Sequence, residues 1–162
     1  MTTIQDIYLG AERLISQIIR KESADQGHTL TGAMEESLDA SVSRKGRADI
    51  MEGFAVFYTK FVNEGLPASS ASYAQAPFLI EYFKQRGLQE TEARAAAFAT
   101  IKTWMKEGMP TQASKRFSST GSRTNMVKNA IVGSEDRIDE YMTNSFDFMV
   151  DEMYHREKTE TI

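Results

Sequence analysis

The spacing of the apolar residues changes within the first third of this chain, and the change restricts the folds open to it. Residues 3–24 carry apolar side chains at steps of three and four, the period of an amphipathic helix. The members of this stripe are Ile4, Ile7, Tyr8, Ala11, Leu14, Ile15, Ile18 and Ile19. Thr2 and Gln5 have the spacing of a capping box, so we expect the helix to begin there and to pack on a sheet.

Alternation typical of β-strands follows this helix. Residues 38–43 alternate between apolar and polar side chains, and residues 50–58 are apolar on both faces. The intervening residues 43–47 include Gly46 and have the composition of a turn, so the sequence predicts a β-hairpin. Because the second strand is apolar on both faces, we expect the first helix to cover one face and another chain to cover the other.

The segment 27–38 joins the helical pattern to the alternating pattern of the strands. The hydroxyl of Thr31 can cap a short helical turn, and Gly32 tolerates a sharp turn of the backbone. On local physics this segment is a connector between helix and strand, with no chemistry of its own. We predict that Thr31 and Gly32 form a structural pivot that orients the long helix against the sheet.

The rest of the chain is predicted to be mainly helical. Its segments, in order, are an exposed connection rich in Ala, Ser and Pro (66–77), a helix over 78–86 closed by Gly87, a helix over 90–107 stopped by 108–110, a basic strand-like segment (111–123), a short helix (125–132) and a long helix (134–157) capped by Ser134. Trp104 is predicted to be a core residue rather than a platform for a ligand.

Together these elements predict a single α+β domain over residues 1–162. A long N-terminal helix packs on a small antiparallel β-sheet, and the core is formed by residues 3–65 and 111–133. A helical hairpin is inserted at residues 66–110, and a long C-terminal helix covers residues 134–157. A chain of 162 residues with 41% hydrophobic side chains can bury such a core.

The charge of the chain changes sign near residue 134. Residues 101–133 contain six Lys and Arg against Glu107 alone, whereas residues 134–162 contain nine Asp and Glu against three Lys and Arg. A basic block followed by an acidic one either folds back on itself or meets the opposite sign on a neighbouring subunit.

The sequence contains none of the patterns that mark common catalytic or metal sites. Cysteine is absent, and the histidines are His28 and His155, far apart in the chain. No phosphate-binding loop, nucleophile elbow or zinc-protease motif occurs. No apolar run approaches the ~20 residues that span a membrane, and the first residues do not have the pattern of a signal peptide. We expect a soluble, intracellular chain that is not an enzyme and holds no metal or cofactor.

Basic residues are the candidate interaction sites. Three lie at the predicted hairpin tip and three in a segment rich in Ser and Thr; they are Arg44, Lys45, Arg47, Lys115, Arg116 and Arg123. Lys and Arg beside small hydroxyl residues commonly contact phosphates. Because the whole chain has a net charge of −4 and no aromatic cluster for stacking, base-specific recognition is not expected. A loop that faces DNA or an acidic protein remains open.

Two short motifs accompany this order of elements. Residues 31–38 read Thr-Gly-Ala-Met-Glu-Glu-Ser-Leu, and residues 58–65 read Tyr-Thr-Lys-Phe-Val-Asn-Glu-Gly. They resemble the Thr-Gly-x-Leu-x-x-Ser-Ile and Tyr-x-x-Phe-Val-Glu-x-Gly motifs of the tail-component (tail-completion, or neck) family of lambda-like tailed bacteriophages, with the acid of the second motif shifted. Residues 106–111 are similar to the longer members of that family. The resemblance covers most of residues 4–132, with a larger insertion than in the minimal members.

The resemblance implies a structural role in the virion. The chain would be a subunit of a homo-oligomeric ring, of six or twelve copies, that joins the DNA-filled head to the tail. Its partners would be portal or adaptor proteins, tail-tube or tail-terminator proteins, and DNA in the channel, with no membrane. It would be assembled in the host cytoplasm and reside in the neck, with both groups of basic residues meeting neighbouring ring proteins or DNA.

Two other interpretations follow from the residues alone. The chain is a small cytoplasmic nucleic-acid-binding or regulatory protein that uses the basic segment 115–123, or it is an α+β domain whose role the sequence does not reveal. Binding to duplex DNA that weakens with salt would favour the first of these.

Overall fold

The computed structural model describes residues 2–28, 33–46, 48–55 and 59–160. The protein is mostly helical, with long helices near both ends and a two-stranded antiparallel sheet, which agrees with the predicted α+β class. Its helices and strands in chain order are α1 (Ile4–Asp25), α2 (Ala33–Glu36), β1 (Asp39–Lys45), β2 (Ala48–Phe54), α3 (Thr59–Glu64), α4 (Ala76–Gln85), α5 (Glu90–Glu107), α6 (Met126–Val132) and α7 (Glu135–Glu160).

The chain forms two compact units. The first consists of residues 1–59 and 125–162, and the second of residues 60–124. The first unit therefore contains α1, the β-hairpin, α6 and α7, and the second contains α4 and α5. The second unit extends beyond the predicted insertion at both ends.

The helix α1 begins one residue later than predicted. Its N-cap is Thr3, whose hydroxyl accepts a hydrogen bond from the Asp6 amide at 3.2 Å, while the Thr3 amide donates to the Asp6 carboxylate at 2.9 Å. The predicted capping box of Thr2 and Gln5 was wrong. The Asp6 carboxylate accepts a hydrogen bond more strongly than the side-chain amide of Gln5, and its negative charge is favourable at a helix N-terminus. Hydrogen bonds from the side chain and the backbone of Thr3 lower the pKa of Asp6.

One face of α1 supplies much of the core of the first unit. Ile7, Ala11 and Ile18 are buried on this face, together with Met126 and Ala130 of α6. The helix contacts α6 and α7 as well as β1. The prediction of a helix packed on a sheet therefore named only one of its neighbours, because the period of a helix shows which face is apolar but not what covers it.

The helix α7 runs antiparallel to α1. The Tyr141 hydroxyl donates to the Ile7 carbonyl at 3.3 Å, and the ring of Tyr8 meets that of Phe146 edge to face at 6.5 Å. Further along α7, the amide of Thr2 donates to the Glu152 carboxylate at 2.8 Å.

The two strands pair from Asp39 with Phe54 to Lys45 with Ala48, which confirms the predicted hairpin. The predicted turn at 43–47 was too long, because Gly46 has φ of +67° and lets the strands close within two residues. The second strand ends at Phe54 rather than at residue 58, and residues 56–58 lie outside the described part of the chain. The Phe54 side chain is 54% exposed, so the described part of this chain covers it only partly.

The helical hairpin of the second unit is confirmed. The predicted bounds of α5 agree with the structure, and α4 begins two residues before its predicted start. Ala93, Ala97 and Ile101 form the buried face of α5. Trp104, predicted to lie in the core, is half-buried.

Three irregular segments differ from their predictions. Residues 59–64 form α3, and the connection 66–77 contains the 3₁₀ helices Ala68–Ser70 and Tyr73–Gln75. The basic segment was predicted to be strand-like, but Gln112–Phe117 is a 3₁₀ helix. The Ser114 hydroxyl donates to the Thr111 carbonyl at 2.7 Å, and such local hydrogen bonds compete with strand pairing. Toward the C-terminus, α6 and α7 lie close to their predicted ranges.

A substitution at Gly10 tests whether α1 depends on its close approach to α7. A Cβ atom at Gly10 would overlap the Tyr141 hydroxyl. We expect Gly10→Ala to destabilise the protein by about 1–2 kcal/mol, since overpacking outweighs the roughly 1 kcal/mol that alanine gains over glycine in a helix. Urea unfolding measures the difference.

Two further variants test whether the overlap with the Tyr141 hydroxyl causes the loss of stability. Tyr141→Leu removes the clashing group, so Gly10→Ala should cost less in that background. Gly53→Ala, at a position with nothing within 4 Å of an added Cβ, should change stability by less than about 0.5 kcal/mol. Equal costs of Gly10→Ala in both backgrounds would show that Tyr141 is not the obstacle.

The bond between Thr2 and Glu152 makes stability depend on pH. The hydrogen bond from the Thr2 amide lowers the pKa of Glu152 in the folded state. The stabilisation is therefore present above the unfolded pKa of about 4.3 and is lost as pH falls through the lower folded value. Glu152→Gln should lower the melting temperature at pH 7 and have a smaller effect at pH 3. Glu140→Gln, at an exposed acid of the same helix, is the control.

Candidate interaction surfaces

The hairpin tip lies in the first unit, and its Lys45 has an acidic neighbour. The Nζ atom of Lys45 is 3.6 Å from a carboxylate oxygen of Glu52 on the opposite strand. Arg44 pairs through its backbone with Asp49, and Arg47 lies outside the described residues. Because an exposed ion pair of this kind contributes little stability, Lys45 remains able to exchange Glu52 for another anion.

Lys115 and Arg116 are exposed on the 3₁₀ helix of the second unit. The guanidinium carbon of Arg116 is 4.8 Å from the centre of the Phe117 ring, and Phe117 is 57% exposed. A cation above an aromatic face is attracted to it, which reduces the freedom of both side chains. These residues present two positive charges and an apolar ring to a partner.

Arg123 has a different position from the other two basic residues of its segment. Its Nη1 atom donates to the carbonyl of Ser114 at 3.0 Å, and the side chain is partly buried. Burial lowers the pKa of Arg123, Tyr82 raises it, and the positive charge of Arg86 lowers it. Arg123 therefore acts as a brace, since its hydrogen bond links the two ends of the segment 114–123. Lys115 and Arg116, in contrast, are exposed at the surface.

Arg86, at the end of α4, is a basic residue that the sequence analysis did not single out. Its guanidinium carbon is 5.0 Å from the centre of the Tyr82 ring, one helical turn earlier. The positive charge of Arg86 is one cause of the lowered pKa of Arg123, so Arg86 is a fourth cation near the basic segment. The four-residue spacing of Tyr82 and Arg86 at the end of a predicted helix was the sequence signal that could have identified this arginine.

Among the residues that the structure describes, the histidines and acidic side chains are not arranged as a catalytic group. One ring nitrogen of His28 is 3.3 Å from the Gln26 side-chain oxygen, and His155 lies beside the ring of Tyr154. A shallow groove between α1 and α7 contains Asp6, whose carboxylate already caps α1. Within the described ranges, no cluster of three or more His, Cys, Asp or Glu is placed to hold a metal ion.

Two further observations concern the membrane and the structural pivot. In the part of the chain that the structure describes, no helix has the length and apolar character needed to cross a membrane. The predicted pivot, Thr31 and Gly32, lies outside the described residues.

Comparison with known proteins provides no assignment. No protein-family model, no curated protein and no solved structure matches this chain. Its function is therefore inferred from its residues and from their arrangement.

The brace formed by Arg123 can be tested by comparing it with its exposed neighbours. Arg123→Ala should destabilise the second unit by about 1–2 kcal/mol, because the carbonyl of Ser114 loses a charged donor. Lys115→Ala and Arg116→Ala, at exposed positions, should each change stability by less than about 0.5 kcal/mol. Denaturant unfolding compares the three variants, and equal effects would contradict a bracing role.

Proposed function

We propose that this chain is a structural protein of a tailed-phage virion, a ring-forming neck or tail-completion subunit that joins the portal or adaptor of the head to the tail. The observation that carries this proposal is the order of the motifs and elements. A long helix precedes the Thr-Gly motif at 31–38, a hairpin follows it, and the Phe-Val motif comes next. The structure refines the last step, because Phe61 and Val62 lie on α3, and Gly65 follows that helix with φ of +83°.

The division of charge between the two units supports a ring. The second unit, residues 60–124, contains nine Lys and Arg against five Asp and Glu. The first unit contains ten Lys and Arg against eighteen Asp and Glu. Two units of opposite net charge favour contact between the acidic unit of one copy and the basic unit of the next. Such head-to-tail contacts form closed rings when the rotation between copies closes.

The exposed pair Lys115 and Arg116 is the surface on which to test the function. We expect a variant with Lys115→Glu and Arg116→Glu to fold normally and to produce particles with separate heads and tails, because two attractive charges become repulsive. Arg123 is left unchanged, since its loss would damage the fold as well. Electron microscopy of particles from the virus that encodes the variant counts joined and unjoined forms.

A matched variant carries Arg13→Glu and Lys60→Glu, two exposed residues outside the basic segment, with the same change in net charge. It should join heads to tails normally. Normal joining by the Lys115 and Arg116 variant would remove this segment from the proposal, and absence of the protein from purified virions would reject the function itself.

The exposed Phe117 beside Arg116 is the observation that favours a nucleic-acid-binding protein as the second candidate. An exposed ring next to basic side chains can stack on an unpaired base. Binding of DNA by the monomer, weakening as salt rises, would support this candidate. A ring-sized species in light scattering would support the neck subunit.

A further inference from the structure

One side of α7 is both acidic and apolar. Asp147, Val150, Asp151 and Tyr154 are separated by three or four residues, so they lie on one side of the helix. We call these four residues the acidic face. Val150 is 57% exposed and Tyr154 is 62% exposed, while both carboxylates are exposed beside them. Large apolar side chains clustered at the surface and bordered by charges are typical of interaction sites.

The position of α1 explains why this side of α7 is uncovered. Tyr141 and Phe146, both half-buried, contact α1, and they lie about 80° and about 140° around the helix axis of α7 from Asp151. The antiparallel helix α1 starts at Ile4, close to Glu152, so the last two turns of α7 continue past it.

One side of α5 is both basic and apolar. Arg94, Phe98, Lys102, Met105 and Lys106 lie along the helix at steps of three or four, and all are exposed. We call these five residues the basic face. Met105, between Lys102 and Lys106, is 46% exposed, and Phe98 is 39% exposed with its ring 5.7 Å from that of Tyr73.

The two faces are opposite in charge, and each combines charged with apolar side chains. The acidic face extends about 10 Å along α7 and the basic face about 18 Å along α5, at 1.5 Å per residue. Each has two large apolar side chains beside its charges, which are negative on α7 and positive on α5. Two helices packed side by side at 8–10 Å would place the apolar side chains together and the charges in pairs.

We propose that the acidic face of one copy of this chain binds the basic face of a second copy. The occupant is a second copy because the complementary charges are present on this same chain, in two units of opposite net charge. The inference rests on the proposed function, since it names the contact by which ring subunits join. Because the two faces differ, each bound copy keeps one face of each kind for further copies, as a ring requires.

Two charge-reversed variants test this contact. The first carries Asp147→Lys and Asp151→Lys, and the second carries Lys102→Glu and Lys106→Glu. Each variant alone places like charges in the contact, so its self-association should be about 100-fold weaker than that of the wild type, since like charges in an interface cost several kcal/mol. Sedimentation of the purified full chain, at low and at high salt, measures the association.

Mixing the variants provides the decisive result. In an equimolar mixture, the reversed face of each variant meets a complementary face on the other, so the association should return. A contact within one chain cannot be restored by mixing. A variant with Glu36→Lys and Glu135→Lys, at two exposed acids outside the acidic face, has the same net charge as the first variant and should associate like the wild type.

Cross-linking provides a second measurement that does not depend on charge. The chain contains no cysteine. Mild oxidation of a mixture of Val150→Cys and Met105→Cys chains should therefore give a disulfide-linked dimer, whereas Val150→Cys mixed with Ala113→Cys should not. Unchanged association of either charge variant, failure of the mixture to associate, or no specific cross-link overturns the contact.

Failure of this contact is distinguishable from failure of the proposed function. If the mixture associates but the protein is absent from virions, the contact holds and the function is wrong. If both charge variants associate normally and join heads to tails, the contact is wrong while the function holds. Loss of the first variant from particles without any change in self-association would mean that another virion protein binds α7, which also overturns this inference.

Discussion

The antiparallel contact of α1 with α7 is the interaction on which the first unit depends. Gly10 lets the two helices approach closely, because the Tyr141 hydroxyl occupies the space that a side chain at residue 10 would fill. The same hydroxyl donates a hydrogen bond to the carbonyl of Ile7. The bond from Thr2 to Glu152 places the start of α1 before the end of α7. The last two turns of α7, after Glu152, therefore extend past the start of α1.

In the second unit, a side chain rather than regular secondary structure holds the basic segment. Arg123 donates to the carbonyl of Ser114 and so links residues nine apart in a stretch without strand pairing. This bond stabilises a 3₁₀ helix that exposes Lys115 and Arg116. One arginine of the segment is used for structure, and two charges remain for a partner.

The two units of the chain differ in the sign of their net charge. Asp and Glu outnumber Lys and Arg in the first unit, whereas Lys and Arg outnumber Asp and Glu in the second. In the proposed ring, this difference in sign would favour contact between the acidic unit of one copy and the basic unit of the next. The outer faces of α5 and α7 are the surfaces best suited to such a contact.

The sequence by itself determined the elements whose signals are local. The stripe of α1 follows from a period of 3.6 residues, α5 ends where Gly108 interrupts the pattern, and Gly46 marks the hairpin. Residues 59–64 and 112–117 were missed because short helices have too few residues to show a period. Only the tertiary structure decided that α1 packs on α6 and α7 as well as on β1, and that Arg123 is a brace while Lys115 is exposed. These outcomes depend on contacts between residues distant in the chain or on side-chain geometry, which the spacing of residue types along a sequence does not contain.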